Sequence, residues 1–543
     1  MRGPYSARAA CACFLVLLQV VGCGSSGGDA ASPADSGAPD GAIADAGPDA
    51  LDDASPDASL DDPPIDDKYA AFAAAFDAER KAIGAPGAAV ALIEHGKVTF
   101  FHGFGNKGPT SAEPVRARTL FRIGSMTKAL TAATCLSLVD EGKMDPKALL
   151  TTYVPDVALS GDELKTLTLG QLLSHDSGLR DYLTVKGPKD DASLGTFLTG
   201  ATFRGNEYFM DPPGSMWNYS NPNFYLAGLA AERVDGISYR ASLSKRVLSP
   251  LGMTRTFFLA TEVLADGDFS NGKSTNPDGS AWDVGPESYD NAWARPAGYA
   301  WSSVLDYARF VQFLNAGNPA VLSDAQRAAM QAQQVSTLEF GNAEGYGYAL
   351  FSDTGFRLGT RWYDTKLVSH GGDINGFAAD FYLVPSSGFG IVMFANADGA
   401  HFGSSLGLAL QTFAELPAAT TIPAETKPDT TRFADYAGEY DDAHNVGHVT
   451  VTATGGALSI SMPDVEAAGV PYDKALTPAT IDNFVLSIQG TTVVVTFIKD
   501  GTGAYRYLRT RPFVAIRPAT SPVKRPKFVV DPIELRERLR AKT

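Results

Sequence analysis

The stretch Thr119-Leu120-Phe121-Arg122-Ile123-Gly124-Ser125-Met126-Thr127-Lys128 decides the fold, because a strand, a break and a helix meet inside it. Thr119 to Ile123 is strand-like, Gly124 interrupts it, and from Ser125 to Glu141 the apolar residues recur at helical spacing. A strand that breaks on glycine and opens into a long apolar helix sets Ser125 at the helix N-terminus. There the free N–H groups and the helix dipole favour a developing negative charge. Lys128, one turn on, projects from the same face as Ser125. Burial would disfavour its charged form and let it act as a base toward the serine hydroxyl.

The Ser-x-x-Lys spacing also occurs at Ser242/Lys245, Ser270/Lys273 and Ser521/Lys524, so context must choose among four. Ser270 lies in a Gly/Asn/Asp loop, Ser521 precedes a proline in the tail, and Ser242 with Lys245 is expected on the solvated side of an amphipathic helix. Only Ser125 has the strand, break and helix around it. Tyr-x-Asn occurs twice, at Tyr219-Ser220-Asn221 and Tyr289-Asp290-Asn291. The first stands between the Pro213-Gly214 turn and a helix starting near Asn223, where a phenol and an amide can be aimed into a cleft to relay a proton and hold the lysine. His370-Gly371-Gly372 follows the strand-like Thr365 to Ser369. The glycines let a substrate backbone approach, and the N–H of Asp373 could pair with that of Ser125 as an oxyanion hole.

Outward from these motifs, residues 70–83 are predicted as a helix and Ala88 to Gly105 as two strands turning at His95-Gly96. Ala378 to Val384 and Phe389 to Asn396 are strand-like around Ser386-Ser387-Gly388. Strands at both ends of residues 68–416 bracket a mostly helical middle, which predicts an α/β (α+β) unit with one antiparallel sheet completed by distant segments. After an Ala/Pro/Thr-rich loop, residues 428–516 turn to strands at Val449 to Thr454, Ala457 to Met462, Val485 to Gln489, Thr492 to Ile498 and Ala504 to Leu508. A small β-barrel or sandwich is expected there, without chemistry of its own. Residues 517–543 form a basic tail with a short helix expected at Pro532 to Ala541.

The first 22 residues look like an export signal: Arg2 and Arg8 precede an apolar run from Ala9 to Val21 that Gln19 interrupts. Val20-Val21-Gly22-Cys23 resembles the bacterial lipoprotein signal, which implies acylation of Cys23 and an exported, lipid-anchored protein. Residues 23–67 carry twelve Asp and no Lys or Arg, among Ala, Gly, Pro and Ser, and are expected to be a disordered tether. A Gly-x-Ser-x-Gly spelling at Gly24 to Gly28 falls inside it and lacks the strand-turn-helix setting that motif requires. With the signal removed only Cys23 and Cys135 remain, so no disulfide framework is possible. The formal charge of -16 falls to -6 for residues 68–543, with 43 Lys and Arg against 49 Asp and Glu, and there is no basic stripe. Nucleic-acid binding is therefore not expected.

Taken in order, Leu120 to Lys128, Leu172-Leu173-Ser174-His175-Asp176-Ser177-Gly178-Leu179, Pro213-Gly214 to Tyr219-Ser220-Asn221, Pro250-Leu251-Gly252-Met253 and His370 to Phe377 resemble the serine β-lactamase and penicillin-binding-protein-like family. The branch concerned holds class C β-lactamases, D-aminopeptidases, D-Ala-D-Ala peptidases and carboxylesterases. The resemblance implies an α/β sheet flanked by helices with an all-helical subdomain. It makes Ser125 the nucleophile, with Lys128 and Tyr219 sharing base and acid work and Asn221 positioning substrate. No metal or cofactor is implied, and the partner is a small ester, amide or D-amino-acid-containing peptide. His370, Gly371 and Gly372 stand where the family usually has Lys-Thr-Gly. The two side chains that hold a substrate carboxylate are thus missing, and Asp373 adds an acidic residue beside them, where it is expected to repel a carboxylate and attract an amine. These departures argue against strong β-lactam turnover and favour an esterase or D-peptidase. A β-lactamase or D-Ala-D-Ala carboxypeptidase, and an inactive peptide-binding protein on the same fold, are the alternatives. His175 falls in a family hallmark and is expected to be a structural loop residue.

Overall fold

The computed structural model describes residues 61–518 apart from 183–185, 276–279, 339–342 and 424–427, together with 528–532, 535 and 539. The export signal, Cys23, residues 23–60 of the expected tether, Ser521/Lys524 and most of the expected C-terminal helix lie outside the described residues. Asp61 and Asp62, placed in the tether by composition, are bonded into the fold. Asp61 pairs with Arg116 at 2.7 Å, and Asp62 accepts the backbone N–H groups of Gly103 (2.7 Å) and Ala117 (3.0 Å).

Helix α1 (Asp67–Ile83) starts where the Asp66 carboxylate accepts the Lys68 N–H, which supplies one of the donors a helix end leaves open. It covers one face of an eight-stranded sheet. The strands are β1 (Gly87–Glu94), β2 (Lys97–Gly105), β3 (Val335–Ser336), β4 (Gly345–Tyr346), β5 (Phe351–Asp353), β6 (Leu367–Ile374), β7 (Phe377–Val384) and β8 (Phe389–Ala395). Their order is β2-β1-β8-β7-β6-β5-β4-β3, so the first hairpin pairs with the last strand and segments from both ends of the unit complete one open sheet.

The period-two alternation of a strand divides this sheet between two cores. Ala379, Phe381 and Leu383 of β7 face the core built on α2 (Thr127–Asp140) and α5 (Val304–Ala316), whereas Ala378 and Tyr382 face α1 and α6 (Gly403–Phe413). Helix α2 is buried on every side from Thr127 to Leu138, and the hydroxyls of its buried Thr131 and Thr134 are satisfied on the carbonyls of Pro296 and Leu130. The helical layer also includes α3 (Leu169–Leu173) and α4 (Asn221–Asp235), the latter packed directly on α2.

Residues 438–516 form a closed barrel of β9 (Gly438–Asp442), β10 (Gly447–Thr454), β11 (Ala457–Ser461), β12 (Ala475–Thr480), β13 (Asn483–Ile488), β14 (Thr491–Lys499), β15 (Tyr505–Arg509) and β16 (Val514–Ile516). A closed barrel, rather than a sandwich, leaves no open strand edge. Side chains such as Tyr440, Val451, Ile460, Phe484, Phe497 and Leu508 fill its core, and Leu535 and Leu539 from the tail join it. The barrel docks on the α/β unit through Ile498 and Val514, which pack on Met210 and Met216.

Candidate active site

Gly124 adopts φ +49°, a conformation that glycine reaches at little cost, and the chain turns through it from the strand Phe121–Arg122 into the short 3-10 turn Gly124–Met126 that leads α2. Ser125 is carried on this turn and is 7% exposed. Lys128, one turn further, is fully buried, and its Nζ lies 2.9 Å from Ser125 Oγ, 2.7 Å from Asn221 Oδ1 and 2.7 Å from Ala297 O.

Two of those partners can only accept. The Ala297 carbonyl has no proton to give, and Asn221 is oriented by Asp181, whose Oδ1 accepts both Asn221 N–H (2.8 Å) and Nδ2–H (3.0 Å) and so turns Oδ1 of the amide toward the lysine. Two N–H groups of Lys128 are therefore committed, and the third site on Nζ faces the serine hydroxyl. Filled by a proton it donates to Ser125 Oγ; as a lone pair it accepts the Ser125 proton. This geometry suits proton exchange between Lys128 Nζ and Ser125 Oγ.

Tyr219 closes the site, with its ring centroid 4.9 Å from Lys128 Nζ. His175 lies beneath it, ring centroids 4.1 Å apart, at φ +58° and fully buried. The Ser220 N–H donates to His175 Nδ1 at 3.1 Å, which makes that nitrogen an acceptor and puts the ring proton on Nε2. Burial, with Lys128, His370 and Arg511 nearby, lowers its pKa well below the ordinary histidine value. His175 is thus a neutral prop of the Tyr219 loop, as the sequence led us to expect.

Strand β6 runs along the turn that carries Ser125. A methyl group on Gly372 would lie 2.0 Å from Ile123 O and 3.0 Å from Ser125 N, and one on Gly124 would lie 2.8 Å from Asp373 N. Strand β5 pairs only with Leu367 to Ser369, so beyond Ser369 that edge of β6 is turned to the site.

On this strand His370 is neutral, in line with the missing carboxylate ligand, and the expectation for Asp373 is corrected. His370 is 2% exposed and both ring nitrogens are engaged: Nδ1–H donates to Gly371 O at 2.5 Å, and Nε2 accepts from Tyr346 O–H at 3.0 Å. Burial and the Lys128 charge push its pKa down to about 3, so it is a neutral wall and not a ligand for a carboxylate. Asp373 was expected to charge the site. In β6 it has the opposite parity to His370, and its carboxylate points to the α1 side of the sheet, where His401 Nε2 lies at 3.0 Å. His401 Nδ1 in turn meets Asp380 at 2.6 Å. Burial works against the charge on His401, yet Asp373 and Asp380 outweigh it and hold the imidazolium well above the usual histidine range. Only the backbone of Asp373 borders Ser125, so its carboxylate neither repels an anion nor attracts an amine there.

The rival motifs fall elsewhere. Ser242 is buried, not solvated as expected, and donates to Asp235 at 2.7 Å, while Lys245 is 62% exposed. Ser270 donates to Lys107 O at 2.9 Å. In the second Tyr-x-Asn, Asp290 pairs with Arg295 at 2.9 Å and Asn291 accepts from Ala294 N–H, both structural tasks. Sequence reasoning missed Ala297, Asp181, Tyr346 and Arg511. The first acts through its carbonyl, which no residue type signals, and the last comes from the barrel.

The family model described as Beta-lactamase matches residues 72–411 of this chain. Protein flp of Staphylococcus aureus (strain COL) is 27% identical over 315 residues, which cover 57% of this chain and 59% of flp, so the chain spans about three fifths of the length of that relative. Among solved structures, the octameric penicillin-binding protein homologue from Pyrococcus abyssi superposes with a TM-score of 0.54 at 22% identity, covering 82% of this chain and 99% of its own. The D-amino acid amidase from Ochrobactrum anthropi SV3, complexed with D-phenylalanine, gives 0.54 at 23% identity, covering 64% and 99%. At these identities the structures share the fold.

Proposed function

From the premise that the chain belongs to the β-lactamase family, we propose that it is a serine hydrolase that forms an acyl-enzyme on Ser125 with neutral ester or amide substrates. The observation that carries this is the buried Lys128, with two N–H groups fixed on obligate acceptors and the third site on Ser125 Oγ. Lys128 takes the proton as Ser125 Oγ attacks the carbonyl carbon. The resulting oxyanion is received by the N–H groups of Ser125 and Asp373, and Tyr219 passes a proton to the leaving group. Water then attacks the acyl-enzyme, with the same groups working in reverse.

For substrate class, the support comes from what the β6 edge offers. His370 is neutral with both nitrogens engaged, and Gly371 has no side chain, so this edge presents no fixed cation to offset the desolvation of a carboxylate. A neutral short-chain ester or an amino-acid amide has no such need, and one structural relative is a D-amino acid amidase. The specificity constant for a short-chain aryl ester is expected to exceed that for penicillins and cephalosporins by at least about tenfold, the loss that one unpaired buried charge brings. Steady-state kinetics on both classes decide it. Rapid hydrolysis of a chromogenic cephalosporin with no ester turnover would replace this reading by a β-lactamase.

The proposed setting is a bacterial envelope membrane, reached through the lipid on Cys23. Cys23→Ser is expected to move the protein from the membrane fraction to the soluble fraction, since the acidic stretch that follows is repelled by an anionic surface. Retention of the variant in membranes would locate the anchor elsewhere.

A further inference from the structure

The end of β15 and the turn that leads to β16 carry two arginines, Arg509 and Arg511, out of the barrel and into the catalytic unit. Arg509, 2% exposed, donates to Trp217 O (2.6 Å) and Thr337 O (3.0 Å) and lies 5.4 Å from the Trp217 ring centroid. Two residues on, Arg511 turns its guanidinium fork to a single oxygen of Asp181, Nε donating to Oδ2 at 2.8 Å and Nη2 lying 2.6 Å from the same atom as an ion pair, and its guanidinium carbon stands 4.5 Å from the Tyr219 ring centroid. Asp181 is the carboxylate that orients Asn221. One turn of a separate domain therefore grips the segment Trp217 to Asn221 at its first, third and fifth residues, and these include the phenol and the amide of the proposed relay.

We infer that Arg511 is a positioning residue of this active site: through the Asp181 fork it fixes the Tyr219–Asn221 segment, and its charge favours the deprotonated phenol during proton transfer. The inference rests on the relay proposed above. The groups facing Tyr219 are Lys128 from α2, His175 from the turn after α3, His370 from β6, and Arg511 with its partner Asp181. Both histidines are neutral at physiological pH, so the charges that act on the phenol are those of Arg511 and Asp181, joined by Lys128 once it has taken the Ser125 proton. The Arg511 side chain is 19% exposed and the Asp181 side chain 5%, so solvent screens this field far less than at a surface pair. Arginine suits the place because its planar fork can hold a carboxylate while its face lies on an aromatic ring, which a lysine cannot do. The barrel thereby becomes part of the catalytic machinery rather than a passive appendage.

The test is the pH dependence of kcat for a neutral aryl ester with the full-length protein carrying Arg511→Met, Arg511→Lys or Asp181→Asn. Removing the cation is expected to lower kcat about tenfold or more, with KM changed by less than about threefold, and to move the limb on which the rate rises upward by about one pH unit. Arg511→Lys keeps the charge and should leave that limb near the parent's. Asp181→Asn removes the countercharge and should move it downward. A merely structural clasp gives a different pattern: Arg511→Lys, which has no fork, would fall as far as Arg511→Met, and no limb would move. That result overturns the inference. Should Arg511→Met fail to fold, the opposed positions of the limb in Arg511→Lys and Asp181→Asn still decide. Fluorophosphonate labelling of the parent is run in parallel. An unlabelled Ser125 defeats the relay itself, while a labelled Ser125 with unmoved limbs defeats only the role of Arg511.

Discussion

Lys128→Ala and Tyr219→Phe are each expected to lower kcat/KM for a neutral ester by about a hundredfold or more, the usual worth of a positioned proton-transfer group. Lys128→Ala should also lower stability. It leaves Asn221 Oδ1 and Ala297 O buried without their donor, at a cost of roughly 1–3 kcal/mol for each unpaired group. Tyr219→Phe removes only a hydroxyl and keeps the ring against His175 and Arg511, so its melting temperature should stay close to the parent's. Because the two residues serve one proton path, the double variant should cost far less than the product of the singles. Fully multiplicative losses in the same kinetic assay, with folding checked by circular dichroism, would break the shared relay.

Gly372→Ala is the second large effect. The added methyl would meet Ile123 O at 2.0 Å and the Ile123 carbonyl carbon at 2.9 Å, both backbone atoms that cannot rotate away. Strand β6 and the Ser125 turn must then separate by about an ångström, a displacement of the size that can cost about a hundredfold in rate when it misplaces reacting groups. Overpacking at this contact should also cost about 1–3 kcal/mol of stability. Gly205→Ala is the control, because nothing lies within 4 Å of a methyl there. If Gly372→Ala turns over ester at the parent rate, close approach of β6 to Ser125 is not required for activity.

The turn that carries Ser125 was legible because its signals are local: a strand, a glycine at φ +49° and a helix follow one another in sequence. The same holds for the hairpins at 88–105 and 378–396, whose alternation and turn residues are contiguous, and for Tyr219, held between a turn and α4. The barrel was only partly legible. Gly438–Asp442 and Ala475–Thr480 carry Asp or Pro and read as loop, and they become β9 and β12 only because neighbouring strands pair with them. The two- and three-residue strands β3 to β5 are too short for any periodicity to show. Asp373 was misplaced for a different reason. Its parity relative to His370 already put it on the other sheet face, but the partner that confirms this, His401, comes from the loop before α6. Arg511 could not have been found at all, since 330 residues separate it from Asp181 and nothing local marks it.

Intact-mass and peptide mapping after treatment with a fluorophosphonate tests the central claim most directly. One adduct per chain on Ser125, lost in Ser125→Ala together with ester turnover, is the expected result. An adduct on Ser242 or Ser270 with Ser125 unmodified, or ester hydrolysis that survives Ser125→Ala, would contradict it.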